Sequence, residues 1–173
     1  MIESRKCKEN FMPGSLLSKL KTRIPSETAD RNNGHVRVLI IEDEPDIAAY
    51  LQILLKEYGF EAACETDATR AIAAAETFRP DVICLDMVMP KKTGLTLFMA
   101  LKKHPELCHI PVVVVSALHP QRDFDDMPFE DFVRKHGIPA PDVWLEKPID
   151  RAAFLETIRV VIGKKRHESP TFS

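Results

Sequence analysis

Val36-Arg37-Val38-Leu39-Ile40-Ile41-Glu42-Asp43-Glu44-Pro45 decides the reading of this chain. Residues 36–41 are rich in β-branched and aliphatic side chains and read as a buried strand. Three acidic residues follow at once. Pro45 then stands where the first residue of a helix would be, because its fixed φ suits that position. Ile47, Tyr50, Leu51, Leu54, Leu55 and Tyr58 continue at helical spacing, and Gly59 marks the helix end. An apolar strand, an acidic turn and an amphipathic helix make up the first half of a βαβ unit.

The alternation continues down the chain. Residues 60–64 read as a short strand. Ala68, Ala71, Ile72 and Ala75 mark a second helix that stops before Pro80. Residues 82–85 are apolar throughout, as expected of a strand covered on both faces. Leu95, Phe98 and Leu101 line a third helix, and residues 111–115 form a fourth strand. Phe129, Phe132 and Val133 suggest a fourth helix ended by Gly137, and residues 143–145 a fifth strand. Phe154, Leu155, Ile158, Val161 and Ile162 line a last helix closed by Gly163. Strands alternating with helices argue for a parallel sheet with helices on its faces.

Composition sets the outer limits. The chain has 173 residues, 45% of them hydrophobic, and a formal net charge of −2, which gives no argument for binding nucleic acid or an anionic membrane. Cys7, Cys64, Cys84 and Cys108 are scattered without a CxxC pair, so a reduced, cytoplasmic setting is expected rather than a disulfide framework. No signal-peptide core appears near the start, and the apolar runs fall far short of the ~20 residues that span a bilayer. Residues 1–34 read as a flexible extension with seven basic residues against four acidic ones. Leu16, Leu17 and Leu20 within it have the spacing of a short amphipathic turn. Residues 35–163 form the expected domain, and 164–173 a short tail.

In an open parallel sheet, ligands sit outside the carboxyl ends of the strands. Glu42 and Asp43 follow the first strand, Asp86 the third, Ser116 the fourth, and Glu146-Lys147-Pro148 the fifth. Taken singly, each has an ordinary explanation. The acidic run is a solvated turn or a set of helix-capping charges, Asp86 a turn residue, and Lys147 a surface lysine, while Ser116 alone says almost nothing. Their joint placement after four strands is the signal. Clustered carboxylates repel and raise one another's pKa. A hard cation such as Mg²⁺, which takes oxygen ligands, relieves this. Lys147 is then a point charge for a phosphoryl oxygen and Ser116 a hydroxyl donor. Phosphoryl transfer needs such positioning and charge neutralisation.

These segments resemble the receiver domain of two-component response regulators. Residues 38–45 look like its opening. Leu85-Asp86-Met87-Val88-Met89-Pro90, with Gly94 after it, is similar to its phosphoacceptor segment. Val114-Val115-Ser116-Ala117 and Leu145-Glu146-Lys147-Pro148 are similar to its later motifs. The resemblance covers about residues 36–163 and implies a doubly wound five-stranded parallel sheet of flavodoxin-like order 2-1-3-4-5.

It further implies that Asp86 is the phosphoacceptor. Glu42, Asp43, Asp86 and the backbone carbonyl of Val88 would hold Mg²⁺. Ser116 would bond the phosphoryl group, Lys147 would pair with it, and Ser116 and Trp144 would act as switch residues. The Lys147–Pro148 bond is implied to be cis. The implied donor is a histidine kinase or histidine phosphotransfer protein, with an unidentified downstream protein and a homodimer as an open option. No catalysis is expected beyond slow self-dephosphorylation.

Three departures stand out. Ser116 and Lys147 are 31 positions apart, about two helical turns more than the family pattern. This lengthens the segment at 118–142, where residues 119–128 read as a loop. Trp144 stands in place of the commoner Tyr or Phe, and the 1–34 extension has no family counterpart. With no output domain read after residue 163, signalling by contacts in trans, or a chain cut from a longer protein, is expected. Two alternatives stay open. One is a pseudo-receiver that binds partners without phosphorylation, against which Asp43, Asp86 and Lys147 all stand intact. The other is an aspartyl-phosphate phosphatase, which would carry an Asp where Val88 stands. A flavodoxin-type carrier would need a hydroxyl-rich loop where residues 42–45 are acidic.

Overall fold

A computed structural model describes residues 35–89, 94–120 and 128–168. The elements in chain order are β1 Arg37–Ile41, α1 Pro45–Glu57, β2 Glu61–Glu65, α2 Ala71–Phe78 and β3 Val82–Leu85. They continue as α3 Gly94–Lys103, β4 Val112–Ser116, α4 Phe129–Lys135, β5 Val143–Glu146 and α5 Arg151–Glu168. The strands form one sheet in the order β2-β1-β3-β4-β5, and every neighbouring pair is parallel. This is the expected flavodoxin-like order.

The sheet separates two cores because strand side chains alternate between faces. Leu39, Ile41, Ile83, Leu85, Val112 and Val114 face Ala71 and Ala75 of α2, Leu97, Phe98 and Leu101 of α3, and Phe129 of α4. Val38, Ile40, Val82, Cys84, Val113 and Val115 face Leu51, Leu54 and Leu55 of α1 and Phe154, Ile158 and Val161 of α5. Cys84 is fully inside this second core, and burial pushes its thiol pKa far up, so it behaves as a small apolar residue.

Several boundaries differ from the sequence reading for local reasons. α2 begins at Ala71 rather than at Ala68, because Asp67 holds a turn first. Its carboxylate accepts from the Thr69 amide at 2.9 Å and the Thr69 hydroxyl at 2.6 Å. Ala68 is nevertheless buried. Leu97, not Leu95, is the fully buried leucine of the first turn of α3. Tyr50 on α1 and Tyr58 just after it share the helical spacing yet remain exposed. Gly59 and Gly137 end α1 and α4 with φ of +84° and +62°, but α5 runs straight through Gly163. The expected loop at 119–128 lies largely outside the described residues, as do Pro90, the 1–34 extension with Leu16, Leu17 and Leu20, and the last residues of the tail. Among the described residues no helix is long and apolar enough to cross a membrane.

Candidate functional site

Register alone brings the site together. Ile41 pairs with Leu85 across β1 and β3, so Glu42 and Asp86 leave the sheet side by side. The Asp86 amide donates to the Ile41 carbonyl at 2.9 Å. Ser116 pairs with Glu146 across β4 and β5, and the Lys147 amide donates to the Ser116 carbonyl at 2.9 Å. Four segments far apart in sequence thus share one rim.

Glu42, Asp43 and Asp86 each bring an oxygen within 4.8 Å of the others. Glu42 and Asp86 are buried and Asp43 is half-buried. The Lys147 ammonium donates to Asp86 Oδ2 at 2.7 Å and to Glu42 Oε2 at 2.8 Å. The other Asp86 oxygen, Oδ1, accepts from the Val88 amide at 2.9 Å. Glu42 Oε1 is turned toward the Glu44 amide at 3.4 Å. The Lys147–Pro148 bond is cis, and Val88 is exposed at the mouth of the site.

Burial raises the Glu42 carboxyl above the ordinary glutamate value. The Lys147 hydrogen bond opposes the rise, and the Asp86 charge adds to it. Mutual repulsion, the cause expected from the sequence, is therefore the lesser one. For Lys147, burial works toward a lower pKa, but the hydrogen bonds it donates to Asp86 and Glu42 and their charges prevail and hold the ammonium above its ordinary value. The rim thus keeps a charged lysine locked on two carboxylates. Its all-oxygen donor set suits a hard divalent cation.

Ser116 is fully buried, and its hydroxyl oxygen accepts from the Leu118 amide at 3.3 Å. The Leu118 carbonyl in turn accepts from the Trp144 indole at 2.8 Å. The Trp144 ring meets Phe129 of α4 edge-on, with centroids 5.1 Å apart. Ser116 and Trp144 are thus linked through one residue.

Sequence reasoning did not single out the contact between His119 Nε2 and Glu146 Oε1, at 3.3 Å. It ties the chain after β4 to the end of β5. Both residues flank motifs that were read, but their pairing depends on the register of two strands separated by the lengthened segment. A groove of about 370 Å³ lined by His35, Lys56, Phe60 and Glu61 lies at the opposite strand ends and shares nothing with this chemistry.

Comparison with known proteins agrees with the geometry. The family described as the response regulator receiver domain matches residues 38–159. The polar-differentiation response regulator DivK of Brucella anthropi is 32% identical over 126 residues, 73% of this chain and 95% of that protein. Protein Rrf1 of Nitratidesulfovibrio vulgaris is 34% identical over 80 residues, and this chain spans only 58% of its length. Among solved structures, a sensor protein from Polaromonas sp. JS666 superposes with a TM-score of 0.64 at 28% identity. The match covers 76% of this chain and 99% of that one.

Proposed function

The chain belongs to the response regulator receiver domain family, and on that premise we propose that it takes a phosphoryl group on Asp86. The donor is a histidine kinase or a histidine phosphotransfer protein. The observation that carries this reading is the Lys147 ammonium held on Asp86 at 2.7 Å within a rim of three carboxylates.

In the transfer, an Asp86 carboxylate oxygen forms a bond to phosphorus as the bond from phosphorus to the donor histidine nitrogen breaks. The Val88 amide on Oδ1 fixes the carboxylate orientation. Lys147 offsets charge on the phosphoryl oxygens, and the Ser116 hydroxyl donates to one of them. Mg²⁺, held by the oxygens of Glu42, Asp43, Asp86 and the Val88 carbonyl, would supply further neutralisation of phosphoryl charge when bound. No residue here is assigned to turnover of a separate substrate, and the position two after Asp86 is Val88 rather than the second acid an aspartyl-phosphate phosphatase requires.

The new group adds a charge of about −1.5 to −2 near neutral pH. When Ser116 turns to it, the Leu118 amide loses its present acceptor. Leu118 also holds the Trp144 indole, so the change passes to β5 and α4, where a protein partner reads it in trans. The match over 95% of a response regulator's length supports that mode of output. In this reading the protein works in the cytoplasm, alongside its phosphodonor.

Treatment with beryllofluoride and Mg²⁺, or with acetyl phosphate, tests the assignment. The wild type should gain the adduct and change its Trp144 emission, and Asp86→Asn should do neither. Phosphorylation of Asp86→Asn at the wild-type rate would sink the assignment.

A further inference from the structure

Taking Asp86 as the phosphoacceptor, we propose that Asp142 is a positioning residue: from the far end of β5 it pins that strand in the register that lays Lys147 over Asp86. A short echo in the sequence points to it. Pro80-Asp81-Val82 leads into β3 five positions ahead of Asp86, and Pro141-Asp142-Val143 leads into β5 five positions ahead of Lys147. The two aspartates make the same pair of bonds. The Asp81 amide donates to the Arg37 carbonyl at 2.8 Å, and Asp81 Oδ2 accepts from the Arg37 amide at 2.9 Å. The Asp142 amide donates to the Val112 carbonyl at 2.9 Å, and Asp142 Oδ2 accepts from the Val112 amide at 2.9 Å. Arg37 and Val112 are the first residues of β1 and β4.

Each aspartate thus closes a ring with the first residue of the neighbouring strand. Lys102 of α3 braces the second ring. Its buried ammonium donates to the Ile110 carbonyl at 2.9 Å and stands 3.9 Å from Asp142 Oδ2. The neighbouring registers offer Asp142 nothing equal. Ile110 already gives its amide to the Leu107 carbonyl and its own carbonyl to Lys102. Beside Val114 the carboxylate would have to enter the buried part of the sheet.

The two strands do not need the pin equally. β3 is central, buried along its whole length and paired on both sides, so its core contacts already fix its register. β5 is a four-residue edge strand, none of whose residues is buried, and it follows the lengthened segment rather than a tight turn that would set its pairing. A slip of β5 by two residues would keep each side chain on its face and carry Lys147 ~6.6 Å along the strand. The 2.7 Å bond from Lys147 to Asp86 would not survive it.

Two measurements test this. Hydrogen exchange at the Lys147 amide, which donates to the Ser116 carbonyl, reads the register without any phosphoryl donor. Beryllofluoride affinity in the presence of Mg²⁺, followed by Trp144 emission, reads the alignment at Asp86. Asp142→Ala should speed the exchange and weaken beryllofluoride binding by about ten-fold or more. Asp142→Asn, whose amide oxygen still accepts from Val112, should hold both within about three-fold of wild type. Asp81→Ala removes the same kind of bond and should lower the melting temperature, yet leave Lys147 exchange and beryllofluoride affinity within about three-fold. Wild-type behaviour of Asp142→Ala, or an equal loss in Asp81→Ala, overturns the proposal. Should Asp142→Ala fail to fold, Asp142→Glu carries the same comparison, since it keeps the charge beside Lys102 but displaces the acceptor from Val112. Absence of any adduct in wild type would tell against Asp86 as phosphoacceptor, while exchange at Lys147 still decides the role of Asp142.

Discussion

Glu42 shows how a single residue trades fold stability for a charged site. Burial raises its carboxyl despite Lys147, so the folded chain binds this proton more readily than the unfolded one. The Glu42 contribution to stability is then greatest below the unfolded value of ~4.3, and it is lost as pH rises through the higher folded value. At neutral pH the ionised group is a cost. Glu42→Gln, neutral throughout, should therefore raise the melting temperature at pH 7 by about 1–4 °C, and the gain should shrink as the buffer is acidified. A lower melting temperature at pH 7 would mean that the ion pair outweighs burial. The residue types at this rim were legible because each directly follows a strand read from its apolar run. What the sequence did not reveal is that Lys147 bonds both Glu42 and Asp86, since this depends on its reach across β3 and β4.

At the scale of elements, two glycines that look alike in sequence differ in use. Gly94 begins α3 with its amide donating to the Met87 carbonyl at 3.1 Å. A Cβ there would collide with the Asp86 carbonyl oxygen and the Met87 Cα, so α3 starts in direct contact with the backbone of the phosphoacceptor segment. Gly163 sits within α5, and a Cβ there would meet nothing within 4 Å. Gly94→Ala should destabilise by about 1–3 kcal/mol through overpacking and disturb adduct formation at Asp86. Gly163→Ala should stabilise by up to about 1 kcal/mol through helix propensity. Denaturant titration of both variants checks the opposite signs, and equal signs would remove this account. The same contrast explains why Gly163 was misread as a helix end. Gly59 and Gly137 take positive φ where the chain turns away, whereas α5 continues from Gly163 into Lys164-Lys165-Arg166, good helix formers. A glycine letter alone carries no such information, and neither does Ala68, displaced from α2 by the Asp67 turn.

For the whole molecule, the three central strands were legible because a parallel sheet covered on both faces demands apolar runs, and residues 38–41, 82–85 and 112–115 supply them. The segment at 118–142 was less so. The fourth helix there is only 7 residues long, too short for periodicity to fix, and it is held by Phe129 against Phe98 and Trp144, contacts between parts distant in sequence. The same map of contacts leads to a prediction about the 1–34 extension. Among the described residues, both cores, with the partly buried side chains packed on them, run from Val36 to Ile162. The edge strand β2 is joined to α1 by Gln52, whose amide donates to the Ala62 carbonyl at 2.9 Å. The chain entering β1 is tied down at His35, whose ring pairs with the Gly59 carbonyl at 3.1 Å. We propose that the folding unit is residues 35–163 and that the extension adds little to it. Removing residues 1–34 should therefore shift the melting temperature by no more than about 2 °C, well under the change that 1 kcal/mol brings in a domain of this size. It should also leave formation of the Asp86 adduct intact. A drop of many degrees, or loss of folding, would mean that Leu16, Leu17 and Leu20 pack on the domain or bridge two copies, and the boundary at residue 35 would have to be redrawn.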